Sequence, residues 1–199
     1  SITVITCGPA RARKLLTDAA AVGATELMHI VVDDLTTLDS NQISSILAAA
    51  VTKTGASVVF CGKQAADTNA GSTGPGVAQK LGAACVTMVS ELSGDASGFT
   101  ALRPSSEGME RVSVSAPCVI AFDKMVTELR RPNVKGIMMA KKKAVDTLSP
   151  ADLGIDLGDA DVTLQSQAPP AEKPAGQKFE GAENVPTVVS KLRDEAKVL

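Results

Sequence analysis

Residues 56–74 read ASVVFCGKQAADTNAGSTG, and their reading decides the fold: an apolar run at 56–60 stops at a loop, 62–74, made largely of small and polar residues. A short apolar strand that empties into such a loop marks an open α/β sheet, where ligands sit beyond the carboxyl ends of the strands. Small residues let backbone N–H groups come close to phosphate oxygens, so the loop reads as a cradle for a nucleotide. It matches neither common phosphate loop, since it holds no GxGxxG and no GxxxxGK followed by Ser or Thr. Taken alone, it also fits a plain polar connection between a strand and a helix.

Working outward, residues 2–6 alternate β-branched side chains and end in Cys7-Gly8-Pro9, a strand and a turn. Ala12, Leu15, Leu16 and Ala19 give 11–22 a helical apolar face closed by Gly23. Residues 27–32 predict a second strand ended by Asp33-Asp34. Asp39 opens a helix whose apolar face is Ile43, Ile46, Leu47 and Ala50, with Gly55 as its stop. Residues 56–60 are the third strand, 76–81 a helix and 84–89 a further strand. Residues 99–103 and 110–115 flank Pro104–Gly108 as an antiparallel hairpin that extends the sheet, and 117–122 is another, almost wholly apolar strand. Strands alternating with helices predict an α/β, three-layer Rossmann-like sandwich with a largely parallel sheet covered on both faces, plus the hairpin addition.

The nucleotide-binding body is expected over 1–146 and an extended C-terminal arm over 147–199. In the arm, Gly154, Gly158, Pro169-Pro170, Pro174 and Gly176 break any long element, and 162–164 is a candidate short strand. Helical periodicity returns at 186–199 through Val188, Val189, Leu192 and Ala196, beside Val185. Such a segment builds no core of its own and lies along a partner or stays mobile.

At 199 residues and 44% hydrophobic content, one good core is expected. With no Trp, no Tyr and four Phe, it must be built from Val, Ile, Leu, Met and Ala. No apolar run approaches the roughly 20 residues of a membrane span, so no membrane insertion is expected. The net charge of −2 divides into 15 basic against 13 acidic residues over 1–150 and 5 against 9 over 151–199. Neither half shows the concentrated basic face of a nucleic-acid binder. The four cysteines form no CxxC pair. Three of them, Cys61, Cys85 and Cys118, lie in strand-like apolar surroundings and read as small buried hydrophobes. His29, alone in LMHIVVDD, reads as a core histidine. No Ser/His/Asp set and no motif-placed pair of carboxylates supplies hydrolytic or transfer chemistry, a profile that fits an electron carrier, whose cofactor does the chemistry.

Three stretches together resemble the small (beta) subunit of the electron-transferring flavoproteins. They are Cys7-Gly8-Pro9, the loop Gly62-Lys63-Gln64-Ala65 with Asp67, and ELRRPNVKGIMMAKKK at 128–143, whose Glu128, Arg130, Ile137-Met138, Ala140 and Lys141 to Lys143 stand at the family's spacing. The resemblance covers nearly the whole chain. Leu129, Arg131 and Ala66 depart from it, standing where the family usually has Pro, Tyr and Ile. A further preceding segment, with a first strand, a Pro-containing loop and a helix, is also expected from it.

The resemblance implies an adenine-nucleotide hydrolase-like sandwich acting as an electron carrier, not an enzyme, in a heterodimer with the large (alpha) subunit, which holds most of the FAD and is embraced by the arm. Electrons would come from a flavin dehydrogenase and pass to a quinone oxidoreductase or similar acceptor, in the bacterial cytoplasm or the mitochondrial matrix of a eukaryote. It makes Gly62, Lys63, Gln64, Ala65, Asp67, Thr68, Asn69, Gly71, Ser72 and Thr73 the site for AMP, with Cys7 against the adenosine. Electron-bifurcating members hold a second FAD there. Their loops more often end in Val-Gly-Pro, and those of AMP-binding members in Thr-Gly-Gln; Thr73-Gly74-Pro75 shares residues with both. A free-standing adenine-nucleotide-binding regulatory module is the other reading of the loop. Arg130, Val134, Ile137, Met138, Lys141, Lys142 and Lys143 are then the docking surface for the dehydrogenase. Val134 stands where the family usually has Leu and buries about one methylene less, worth about 0.8 kcal/mol at most, which leaves room for a partner choice different from that of the acyl-CoA dehydrogenase systems of fatty acid oxidation.

Overall fold

The first two strands, β1 (Thr3–Gly8) and β2 (Glu26–Val31), run parallel because α1 (Arg13–Ala21), entered through a 3-10 turn at Ala10–Ala12, carries the chain back between them. The computed structural model describes residues 1–95, 97–123, 128–173 and 175–198, in two units, Ser1–Leu164 and Gln165–Leu199. The expectations at Pro174 and Leu199 lie outside the described residues.

Next come α2 (Ser40–Thr54), β3 (Val58–Gly62), α3 (Thr73–Leu81), β4 (Ala84–Val89), β5 (Glu91–Asp95), β6 (Gly98–Ser105), β7 (Gly108–Val114), β8 (Cys118–Phe122), α4 (Val134–Lys141) and β9 (Asp146–Leu148). They form three sheets of three strands. The order β1-β2-β9 is parallel, β3-β8-β4 is parallel, and β5-β6-β7 is antiparallel. The two central strands of the parallel sheets read as continuous apolar runs because both of their faces are covered. Leu27 to Ile30 in β2 and Cys118 to Ala121 in β8 are buried. His29, inside β2, is satisfied by a bond between Nε2 and the Gly8 carbonyl at 2.9 Å, as a core histidine should be.

The local chemistry of α2 fixes both of its ends. Asp39 accepts from the Gln42 N–H at 2.8 Å while Gln42 Oε1 accepts from the Asp39 N–H at 3.1 Å, a reciprocal cap, and Gly55 stops the helix at φ 69°. This helix lies under both parallel sheets. Ile46 and Ala50 pack with Met28 and Ile30, whereas Ala48 packs with Val77, Ala78 and Val119. The core is aliphatic, as the composition demands. The antiparallel sheet joins the second parallel sheet through Val86, Val89, Ala101, Val114 and Ile120, with Phe60 edge-on to Phe99 and Phe122. The body is thus a layered, Rossmann-like α/β assembly.

Several expectations need correction. The hairpin is a three-stranded sheet of its own: β5 joins it by backbone pairing, with Leu92 packed on the core, and Ser93-Gly94-Asp95 carries no apolar alternation to announce it. Residues 162–164 form no strand, because the N–H groups of Asp161 and Val162 are taken by the Asp39 carboxylate, at 2.7 and 3.3 Å. Leu15 is exposed, and α1 faces the core with Leu16, beside which Ala19 and Ala20 pack. Cys85 is exposed on the edge strand β4, and Cys61 is half-buried. The helix after the loop begins at Thr73, three residues earlier than its apolar periodicity shows.

The second unit contains α5 (Val185–Asp194), with Pro186 in its first turn, where a missing N–H costs nothing, and a Lys191–Glu195 pair at 2.7 Å. Val185, Val189 and Leu192 keep a partly exposed apolar stripe along it.

Candidate nucleotide loop and docking helix

The loop is anchored where β3 ends. The Lys63 N–H donates to the Phe122 carbonyl at 2.7 Å, and its ammonium meets Asp123 Oδ1 at 2.5 Å, so the exits of β3 and β8 are tied together. Beyond that point the loop closes on itself. Gln64 Nε2 donates to Asn69 Oδ1 at 2.9 Å and the Asn69 N–H to the Ala65 carbonyl at 3.0 Å. Asn69 takes the left-handed φ of 53°, which Asn tolerates better than most residues. Asp67 accepts from the Thr68 N–H at 2.8 Å, and Thr68 Oγ1 from the Ala70 N–H at 3.3 Å, so both serve the loop's own shape. Gly71 folds back over the Lys63 carbonyl.

Ser72 is the N-cap of α3, yet its side chain makes no capping bond, which leaves first-turn N–H groups of the helix as open donors. Two glycines seat that helix. A Cβ on Gly74 would come 3.0 Å from Cys61 Sγ and 3.3 Å from Ala121 Cβ, and one on Gly76 would collide with the Ser44 side chain of α2. Their absence lets α3 press its N-terminus against the carboxyl end of β3, with the hydroxyls of Ser72 and Thr73 beside it. Open amides at the positive end of a helix favour an anion.

Cys7 sits near the end of β1, in the first sheet, half-buried. Burial pushes its thiol up to about 11, so at neutral pH it is an uncharged contact surface and a poor nucleophile. No hydrogen bond joins it to the loop among the described residues. The structure thus gathers residues 62–73 in one loop at the exit of β3 and places Cys7 on the neighbouring sheet. Among the described residues no group of three or more His, Cys, Asp or Glu comes together to hold a metal, and no helix is long and apolar enough to cross a membrane.

The second candidate surface is built on α4. Asn133 caps it by accepting from the Gly136 N–H at 2.7 Å, and Gly136 brings it close over the Ala21 carbonyl of α1. Val134 is 75% exposed and Met138 60%, with Ile137 less so. Leu129 and Met139, which the sequence reading did not include in the docking surface, are as open as these, at 76% and 61%. Their signal was present as apolar residues on both sides of a charged run. Arg130 and Lys143 turn inward, donating to the Val22 carbonyl at 3.4 Å and the Ala24 carbonyl at 2.7 Å. Lys141 and Lys142 stay exposed, so an apolar group stands beside two cations.

Residues 1–153 match the family described as Electron transfer flavoprotein domain. Similar proteins include the electron transfer flavoprotein subunit beta of Mycobacterium tuberculosis, 32% identical over 184 residues, covering 89% of this chain and 69% of that protein. The subunit beta of Bacillus subtilis is 31% identical over 204 residues, covering 100% of this chain and 79% of the relative. That of Homo sapiens is 29% identical over 199 residues, with 99% and 76% covered.

Proposed function

This chain belongs to the electron transfer flavoprotein family as a small, beta-type subunit, an electron carrier subunit and not an enzyme, and we propose that it binds AMP at the 62–73 loop and docks a flavin dehydrogenase through α4. Its partner is the large, alpha-type subunit, which holds most of the FAD. Electrons enter from the dehydrogenase and leave to an acceptor such as a quinone oxidoreductase, in the bacterial cytoplasm or the mitochondrial matrix. The body is read as an adenine-nucleotide hydrolase-like three-layer sandwich. The arm 147–199 contacts the large subunit, and the apolar stripe of α5 is the part suited to it.

The observation that carries the AMP reading is the uncapped N-terminus of α3, seated by Gly74 at the exit of β3. A phosphate there meets open backbone amides and the hydroxyls of Ser72 and Thr73. Lys63 is held by Asp123, so its role is to fix the loop's entry. Cys7, kept as a neutral thiol, suits an adenosine face and not a phosphate. The flavin, when bound, supplies the redox chemistry; this chain binds, orients and excludes water. For docking, Val134, Ile137 and Met138 supply the apolar contact and Lys141 and Lys142 the charge, while Arg130 and Lys143 brace the helix against the body.

The test is to co-express the chain with its large subunit, denature the purified heterodimer and quantify what is released. One FAD and one AMP per heterodimer is the expected result. Two FAD and no AMP identifies an electron-bifurcating type, and one FAD with no second nucleotide refutes the loop assignment.

A further inference from the structure

The cysteines of this chain are all held as thiols. Burial raises Cys7 and Cys61 to about 11 and pushes Cys85 and Cys118 up as well, so none offers the thiolate that an oxidant attacks first. A thioether needs no deprotonation, and exposure decides how readily it meets a peroxide. Among the described methionines, Met28 is closed in the core and Met88 is less open, whereas Met109 on β7 matches the exposure of Met138 and Met139 on α4. Position separates these three. Met138 follows Val134 by four residues, one turn along the same face, and precedes Lys141 by three, while Met139 follows Lys135 by four. α4 buries Ala140 and leaves both thioethers open beside the apolar residue and the cations of the docking surface. Met109 lies in the antiparallel sheet, which carries none of the docking residues.

We propose that Met138 and Met139 form a reversible oxidation site at which hydrogen peroxide uncouples this subunit from its electron donor, an inference that rests on the docking reading of α4. The sulfur lone pair attacks one peroxide oxygen, the O–O bond breaks, and the departing hydroxide takes up the proton of the transferred oxygen to leave as water. The sulfur is oxidised by two electrons and the peroxide is reduced by two. The unbranched thioether, which adapts to an irregular apolar pocket, becomes a polar sulfoxide one turn from Val134. Water satisfies the new oxygen while α4 is free, so the fold is undisturbed. In an apolar pocket on a partner the same oxygen has no donor, and docking bears the cost. A methionine sulfoxide reductase restores the thioether with two electrons from thiols, which makes the site a switch and not a lesion.

The test treats the purified, flavin-loaded heterodimer with hydrogen peroxide, removes the peroxide with catalase, and mixes the product with whichever flavin dehydrogenase from its own cells reduces the untreated heterodimer fastest. Peptide mass spectrometry should find one added oxygen on each of Met138 and Met139, and the stopped-flow rate of electron acceptance should fall about tenfold or more with flavin content unchanged. Reductase treatment should restore the rate. The loss should develop equally fast between about pH 6 and pH 8, whereas oxidation of a thiol would quicken about a hundredfold over that span. Each variant is compared with its own untreated rate: Met138→Leu with Met139→Leu should lose the response, and Met109→Leu should keep it. The proposal is overturned by a rate that survives oxidation of both residues, by a loss that persists in the double leucine variant, by a thiol-like pH dependence, or by failure of the reductase to restore the rate. Val134→Asp separates the two readings. If it slows the same dehydrogenase while peroxide does not, the oxidation site alone falls; if neither slows it, the docking reading falls and the oxidation site with it.

Discussion

Replacing Gly76 with alanine asks whether contact with α2 sets the position of α3. The added Cβ would collide with the Ser44 hydroxyl and lie 2.8 Å from the Ser44 Cβ. A Cβ has no torsion by which to move aside, so one of the two helices must shift. Overpacking of this kind costs about 1–3 kcal/mol, while alanine in a helix interior is about 1 kcal/mol better than glycine. In the native background the sum is a loss of about 0–2 kcal/mol. In a Ser44→Gly background both obstructing atoms are gone, and the same Gly76→Ala change should stabilise by about 1 kcal/mol. The coupling between the two sites is then the collision cost, about 1–3 kcal/mol. Urea unfolding followed by far-ultraviolet circular dichroism is the assay, since a chain without Trp or Tyr gives little intrinsic fluorescence. AMP retention in the heterodimer should fall in Gly76→Ala and recover in the double variant. An equal shift from Gly76→Ala in both backgrounds would refute the reasoning.

Val134→Asp should slow electron acceptance from the cognate dehydrogenase about tenfold or more, because an unpartnered carboxylate is costly in an apolar pocket, while flavin content and dimer formation stay intact; equal stopped-flow rates would move recognition elsewhere. Burial raises the thiols of Cys7 and Cys61 from an ordinary 9.0 to about 11. Folding therefore holds them protonated where the unfolded chain ionises, and the stability they contribute is complete below pH 9 and lost as pH rises towards 11. The urea midpoint should decline across that window, and Cys7→Ala with Cys61→Ala should flatten the decline. A chain ending at residue 150 should be at least about 3 kcal/mol less stable than one ending at 164, because Leu153, Ile155 and Leu157 pack on the Met28–Ile30 cluster; coincident urea midpoints would contradict that packing.

What could be read in advance was whatever local chemistry decides. The span 84–89 matches β4 residue for residue, and Asp39 and Gly55 mark both ends of α2 because caps are short-range signals. The start of α3 was hidden, since Thr73-Gly74-Pro75-Gly76 reads as loop until Cys61 and Ser44 are seen to demand small residues there. β9 is three residues long and exists through its pairing with β2, which no periodicity reveals. At the candidate site the loop residues were identifiable by resemblance, but the roles of Asp123, Arg130 and Lys143 were not. Each depends on a partner distant in the chain or on another strand.

The placement of β8 between β3 and β4 also has a temporal side. β3 ends at residue 62 and β8 begins at 118, so at about 5–20 residues per second a ribosome leaves β3 without its neighbour for roughly 3–11 s. The antiparallel strands β5 to β7 are all synthesised within that interval and need only local closure, whereas β3 and β4 wait. Two apolar strands, VVFCG and ACVTMV, meanwhile have each other as the nearest available mate, and a β3–β4 pairing occupies the edges that β8 requires. Folding of this subunit during synthesis is thus a competition between that early mispairing and the arrival of one five-residue strand, with the speed of translation across residues 63–117 setting the odds.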